Sequence, residues 1–311
     1  MKNITKTSIL TLLVVLLCAC KGGNNSSEKY TLEYNLEKGA TLNQNMVMES
    51  NTTLNAFGQE MKTVINMTAK MSYDVIDIQD DNIYTMNMKY DEIKMDMDMA
   101  NVKMSFDSNT TEEKATLENL SPIFKSMIGI LIEMTIDKHG EVQSISGLDD
   151  ITNAMRASMS DFDEEMQSAM FQQFEGQFSY NALKTAFEQS TTYLPKEPVA
   201  VGDEWNSTAD MQVGNINIKT DAKIKLKSVN ENIATLEVKG TVETPKEGIV
   251  QEVSGMTSKI TMKGTQNATV KIDLTNGWTV NAEITQNFDG ENEMMGMKIP
   301  MTIENRIVIT D

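Results

Sequence analysis

"INMTAKMSYDV", residues 65–75, alternates apolar and polar side chains without a break. Ile65, Met67, Ala69, Met71, Tyr73 and Val75 fall on one side, and Asn66, Thr68, Lys70, Ser72 and Asp74 on the other. A period of two is the pleat of a β-strand, and strict alternation marks a strand buried on one face and wet on the other. "QDDN" at 79–82 has turn chemistry, after which Tyr84, Met86, Met88 and Tyr90 alternate again, followed by Ile93, Met95, Met97 and Met99. Strands this long twist and coil, so the expected sheet is strongly curved.

The same habit extends in both directions. Tyr30, Leu32, Tyr34 and Leu36 share a face near the start. Ile216, Ile218, Ala222, Ile224 and Leu226 alternate, "VNEN" turns at 229–232, and Ala234, Leu236, Val238 and Val242 return. "ATVKIDLTNGWTVNAEI" reads as a hairpin around Asn276 and Gly277, and "MTIENRIVIT" closes the chain as a further strand. Between these regions the period becomes helical. Ile151, Ala154, Met155 and Met159, then Phe162, Met166, Ala169, Met170 and Phe174, then Tyr180, Leu183, Ala186 and Phe187 after Ser179 define amphipathic helices. "LENLSPIFKSM" (117–127) reads as a shorter helical insert.

A weak internal repeat is visible. "LEKGATLN" (36–43) matches "VAVGDEWN" (199–206), and "IEMTIDKHGEV" (132–142) matches "TVKIDLTNGWTV" (269–280) with one extra loop residue in the second copy. Chance similarity among strand-rich segments is the competing explanation. The expected fold is therefore α+β, predominantly an antiparallel curved β-sheet in two related halves, 30–148 and 195–311, joined by a helical connector at 149–194.

The N-terminus carries an address. Lys2 and Lys6 precede a short apolar run from Ile9 to Leu17, too short to span a bilayer and typical of a secretory signal. "LCAC" places Leu17 three residues before Cys20 and Ala19 directly before it, which resembles the lipobox of bacterial lipoproteins. That resemblance implies removal of residues 1–19 and lipidation of Cys20, which anchors the protein to a membrane. Cys18 fits less well, because bulky Leu17 precedes it. Residues 20–29 form a polar tether. No acidic run follows the cysteine, which favours the periplasmic face of the outer membrane over the cell surface. With both cysteines in this segment, the rest of the chain has no disulfide, thiol nucleophile or cysteine-based zinc site.

Removing residues 1–19 removes two lysines and no acid, taking the formal charge from −18 to −20. Such a protein is repelled by nucleic acid. His139 is the one histidine and sits before Gly140 at a hairpin position, so it reads as a turn residue and not as a base. Walker, dinucleotide-binding, zinc-protease and nucleophile-elbow motifs are absent. "DFDEEM" (161–166) opens a helix, where acids suit the dipole, and "QDDN" is turn chemistry. Aromatic residues make up 6% of the chain, too few for a stacking platform. The expectation is a non-enzyme without cofactor or metal.

"KMDMDM" (94–99) raises the question of a soft-metal site. Met95, Met97 and Met99 project from one face and thioethers suit Cu(I). Beyond residue 19, however, the chain holds 24 methionines against 13 leucines, spread over strands and helices alike. Methionine here is a general apolar filler. A curved sheet lined by Met86, Met88, Met95, Met97 and Met99 is then a candidate surface for a lipid or an apolar protein segment, because unbranched thioethers repack around variable ligands.

"YLPKEPVAVGDEWN" (193–206) resembles an uncharacterised family of Bacteroidetes-type lipoproteins, whose members pair a tyrosine-rich first strand with a P-x-x-x-V-x-x-G-D-x-W segment. Pro195, Val199, Gly202, Asp203 and Trp205 match that segment, and "YTLEYNLEKGATLN" (30–43) matches the opening strand. The resemblance brings no catalytic residues. The architecture is loosely similar to curved-sheet envelope lipoprotein carriers. Two readings follow. One is a lipid-anchored envelope lipoprotein that binds a lipid or apolar segment in a methionine-lined concavity. The other is a structural or interaction lipoprotein with a closed core that supports an envelope complex.

Overall fold

The computed structural model describes residues 28–56, 58–79, 82–99, 102–112, 120–175, 179–191, 193–213, 216–253 and 256–311. The expected signal segment, Cys20, residues 20–27 of the tether, Asp80 and Asp81 of the turn, and residues 117–119 of the helical insert lie outside them.

The first half contains β1 (Lys29–Tyr30), β2 (Thr41–Ala56), β3 (Gln59–Gln79), β4 (Ile83–Met99), β5 (Val102–Asp107), α1 (Ser121–Lys125), β6 (Ile132–Ile136) and β7 (Val142–Ser146). The connector forms α2 (Leu148–Ser158), α3 (Glu164–Glu175) and α4 (Tyr180–Thr191). The second half contains β8 (Val199–Ala200), β9 (Glu204–Val213), β10 (Ile216–Asn230), β11 (Ile233–Glu243), β12 (Ile249–Val253), β13 (Met256–Asp273), β14 (Thr279–Met294) and β15 (Met297–Thr310). The fold is predominantly a large, curved antiparallel sheet with few helices.

Thirteen strands form that sheet in the order β7-β6-β4-β3-β2-β15-β14-β13-β11-β10-β9, with β5 added to β4 and β12 to β13. Starting from β9, the sheet runs straight through the second half, crosses from β15 to β2 and continues through the first. The β15–β2 pairing (Ile309 opposite Met46, Ile307 opposite Met48) makes one sheet of segments from opposite ends of the chain. The two outer edges, β7 and β9, are linked in sequence through the helices, and α4 packs against both edge strands.

The matched sequence segments adopt matched geometry. Gly39 N–H donates to Val75 O (2.8 Å) and Gly202 N–H to Leu226 O (2.8 Å). Ala40 N–H donates to Glu37 O, Val75 N–H to Ala40 O, and in the second copy Asp203 N–H to Ala200 O and Leu226 N–H to Asp203 O. Asp137 and Asp273 play the same part in the other pair. Each Oδ1 accepts the N–H two residues on, and each carbonyl accepts from the loop glycine, Gly140 or Gly277.

Leu32, Tyr34 and Leu36 are buried as the alternation requires, but only Lys29–Tyr30 of this segment is a strand, paired with β8. The rest crosses the end of the sheet. Tyr34 N–H donates to Lys138 O and Asn35 N–H to Asn276 O, so the segment is tied to two loops and not to a neighbouring strand. Leu32 enters the core of the second half, with Ile224, Leu226, Leu236 and Val270. Tyr34 and Leu36 enter that of the first half, with Tyr84, Met86, Ile136 and Trp278.

Of the connector helices, α2 buries the face its spacing predicts, whereas Met166 and Met170 of α3 and Leu183 and Phe187 of α4 are half-buried and Tyr180 is exposed. Ile151 and Met155 of α2, and Met159 just beyond it, are fully enclosed, each worth about 1.5–3 kcal/mol of burial. Asp163 Oδ1 accepts the Met166 N–H (2.8 Å), capping α3, and Glu164 and Glu165 occupy its first turn. His139 lies in the β6–β7 turn, its N–H bonded to Asp137.

Candidate functional site

The helix-covered face of the first half encloses a cavity of about 190 Å³. Its walls come from β2, β3, β4, β6, β7, β15 and α4. Methionines dominate: Met46, Met67, Met71, Met88 and Met134 line it, and Leu183 and Phe187 of α4 roof it. Phe187 packs on Tyr73 (ring centroids 6.3 Å apart), and Tyr73 packs edge-on against Trp278 (5.2 Å).

What holds α4 there is electrostatic. Glu188 Oε1 accepts the Val142 N–H (2.9 Å), Lys184 Nζ donates to Val142 O (2.7 Å), and Lys184 pairs with Glu188. A free edge strand leaves such backbone groups bare and open to pairing with another chain. Here two side chains one helical turn apart satisfy both groups of Val142 and fix the roof over the cavity.

Among the described residues, three polar side chains line the cavity: Gln44, Tyr73 and Tyr90. Gln44 and Tyr90 flank Met71 on one rung of the sheet (Gln44 opposite Met71, Met71 opposite Tyr90). The Tyr73 hydroxyl donates to Gln44 Oε1 at 3.2 Å. Burial raises the Tyr90 hydroxyl pKa to about 12, and burial, with the neighbouring Tyr90 and Tyr34, raises that of Tyr73 further. Both stay protonated near neutral pH.

The five methionines expected on the concave surface form a gradient along β4. Met86 is fully enclosed in the core. Met88 lines the cavity. Met95 and Met97 are half-buried, opposite Met67 and Ile65, and Met99 is 46% exposed. Beyond Met67 the same row runs on through Ile65 and, on β4, through Met95 and Met97 to Met99, with rising exposure. The rung through Ile65 and Ser50 continues as a polar row across Asn305, Gln286 and Gln266. Gln286 donates to Gln266 (2.8 Å), Gln266 to the Tyr193 hydroxyl (3.0 Å) and Asn305 to Gln286 (3.1 Å). Sequence reasoning passed over Gln44, Tyr90, Leu183, Phe187 and Ile309 as lining residues. The available signal was Gln44, an amide at an inward position between Leu42 and Met46.

Among the described residues no group of three or more His, Cys, Asp or Glu side chains is placed to hold a metal ion, and no helix is long and apolar enough to cross a membrane.

A family of unknown function, DUF6263, is matched over residues 81–279, and the chain belongs to that family. No curated protein sequence matches it. Among solved structures, one described as showing lipid–protein interactions in lipovitellin overlaps 89% of this chain and 25% of its own, at 7% identity and a TM-score of 0.51. The chain thus spans about a quarter of that structure's length, and the likeness is one of fold. An outer membrane channel from Pseudomonas putida F1 (89% of this chain, 97% of that one, 10% identity) has a TM-score of 0.25. The translocator domain of the autotransporter NalP from Neisseria meningitidis (90% of each chain, 7% identity) has a TM-score of 0.23. Overlaps this poor say nothing about the fold.

Proposed function

We propose that the protein is a lipid-anchored envelope lipoprotein, without enzymatic activity, that carries an acyl lipid on its methionine-lined concave face. The observation that carries this reading is the methionine-lined cavity, whose inward row runs on through Met95 and Met97 to exposed Met99 as an apolar trough. At about 190 Å³ the cavity exceeds the ~150 Å³ that admits benzene but is below the ~300 Å³ typical of a pocket for a whole ligand. It takes part of a lipid, and the rows through Met95, Met97 and Met99 take the rest. The fold shared with a lipid-associated structure supports the same reading.

Anchoring rests on the lipobox-like "LCAC", and the periplasmic side of the outer membrane on the absence of an acidic run after Cys20. Residues 34 and 35 are tied to the loops at 138 and 276, whereas the β2–β3 and β14–β15 hairpin tips mark the other end of the sheet. Sixteen residues of β2 span about 50 Å. In this arrangement the trough opens away from the anchoring bilayer, toward a donor or acceptor in the periplasm.

Native mass spectrometry after purification without detergent exchange tests the reading, together with displacement of a bound hydrophobic fluorophore by acyl lipids. A co-purifying lipid mass and displacement support it. Repeated absence of both refutes it and leaves the structural or interaction lipoprotein.

A further inference from the structure

Resting on the lipid-binding reading above, we propose that the cavity takes its ligand carbonyl-first and selects an uncharged acyl ester or amide with a small head over a free fatty-acid anion. The polar chemistry at the cavity's deep end is specific. The Tyr73 proton is spent within the wall, on Gln44 Oε1 (3.2 Å) with Met71 Sδ at 3.8 Å. The Gln44 Nε2 amide and the Tyr90 hydroxyl have no partner among the described residues, which leaves N–H and O–H groups unspent at the cavity wall. They stand on one rung, on either side of Met71, roughly 10 Å apart at the backbone by two strand spacings, and their side chains close part of that gap.

A carbonyl oxygen has two lone pairs and accepts from donors of this kind. Pure hydrocarbon leaves them unpaired, which costs binding. A carboxylate meets no countercharge among the described residues, because no Lys, Arg or His is among those that line the cavity. Its desolvation is therefore uncompensated, and the anion is disfavoured. Their rung lies farther along the sheet from exposed Met99 than Met67 does, which sets the orientation. The carbonyl enters first, and the acyl chain leads out past Met67 toward Met95 and Met97. The small volume excludes a bulky phosphorylated head from the deep end.

The test is fluorophore displacement from the mature chain by methyl oleate, octadecene and oleate at pH 8, repeated on Gln44→Met and Tyr90→Phe. Methyl oleate is expected to bind at least about tenfold more tightly than octadecene, the worth of one buried hydrogen bond. Gln44→Met, which preserves side-chain length, narrows that ratio by removing a donor that hydrocarbon leaves unpaired, and octadecene binding at least as tight as in the parent protein reports an intact cavity. Tyr90→Phe does the same should Gln44→Met fail to fold. Equal affinity for ester and hydrocarbon, or tighter binding of oleate than of the ester, overturns this inference and leaves lipid binding intact. Binding of none of the three refutes lipid binding itself.

Discussion

Replacing Gly277 by alanine tests how the N-terminal segment is clamped across the end of the sheet. Gly277 has φ +76°, and a Cβ there would lie 2.2 Å from Glu33 O, 2.7 Å from Glu33 C and 2.8 Å from Tyr34 Cα. All three atoms are backbone, so no side-chain rotation relieves the clash. Glu33 would have to retreat by about 1 Å or more to reach ordinary contact. That retreat strains the Asn35 N–H to Asn276 O bond (3.0 Å) and the Tyr34 N–H to Lys138 O bond (2.7 Å). It also shifts Tyr34, which packs on Trp278 at 6.0 Å.

Gly39 is the control. It has φ +88° but no atom within 4 Å of its added Cβ. Gly39→Ala therefore carries backbone strain of about 1–2 kcal/mol, offset by roughly 0.4–1 from the stiffer unfolded chain. Gly277→Ala adds about 1–3 kcal/mol of overpacking and about 1 kcal/mol for each weakened hydrogen bond. The expected totals are about 1 kcal/mol for Gly39→Ala and about 4–6 for Gly277→Ala, read from urea unfolding followed by tryptophan fluorescence with an unchanged m-value. Equal destabilisation by the two variants would refute the clamp.

Glu188→Ala strands the buried Val142 N–H and should cost about 1–3 kcal/mol, whereas Glu188→Gln keeps the acceptor and should cost less; equal losses in thermal melts would mean that Glu188 does not hold the edge. Met86→Ala should cost about 2–5 kcal/mol, because Met86 is fully enclosed, while Met99→Ala, at 46% exposure, should stay within about 0.5 and weaken only lipid binding. Burial raises the hydroxyl pKa values of Tyr34, Tyr73 and Tyr193, and that of Tyr90 to about 12. The folded state therefore keeps protons that the unfolded chain releases near pH ~10, so the associated stability is complete below that pH and is lost as pH rises toward the folded values. For Tyr90 alone the window from about 10 to about 12 is worth on the order of 3 kcal/mol. A tyrosinate titration in which all seven tyrosines ionise smoothly, with no cooperative unfolding step, would contradict this.

Alternation alone determined most of the secondary structure. The row from Ile65 to Val75 is inward throughout β3, the helical spacing at Ile151 and Met155 marks the buried face of α2, and Glu231 and Asn232 turn the chain with positive φ where "VNEN" placed the turn. The matched turn geometry at Gly39 and Gly202 was legible too, because a glycine turn leading into a strand needs the same few residues each time. Alternation says which face a side chain takes but not which strand lies beside it. Only the tertiary structure set β15 beside β2, bringing Ile309 to Met46, and α4 across both edges. The cavity could not be read for the same reason. It is a volume left between seven elements, and its polar end exists because register aligns Gln44 and Tyr90 across Met71. The question posed by "KMDMDM" is decided in the same way. Sequence put Met95, Met97 and Met99 on one face, and the structure leaves Met99 exposed at the end of that row while Met86 is sealed in the core.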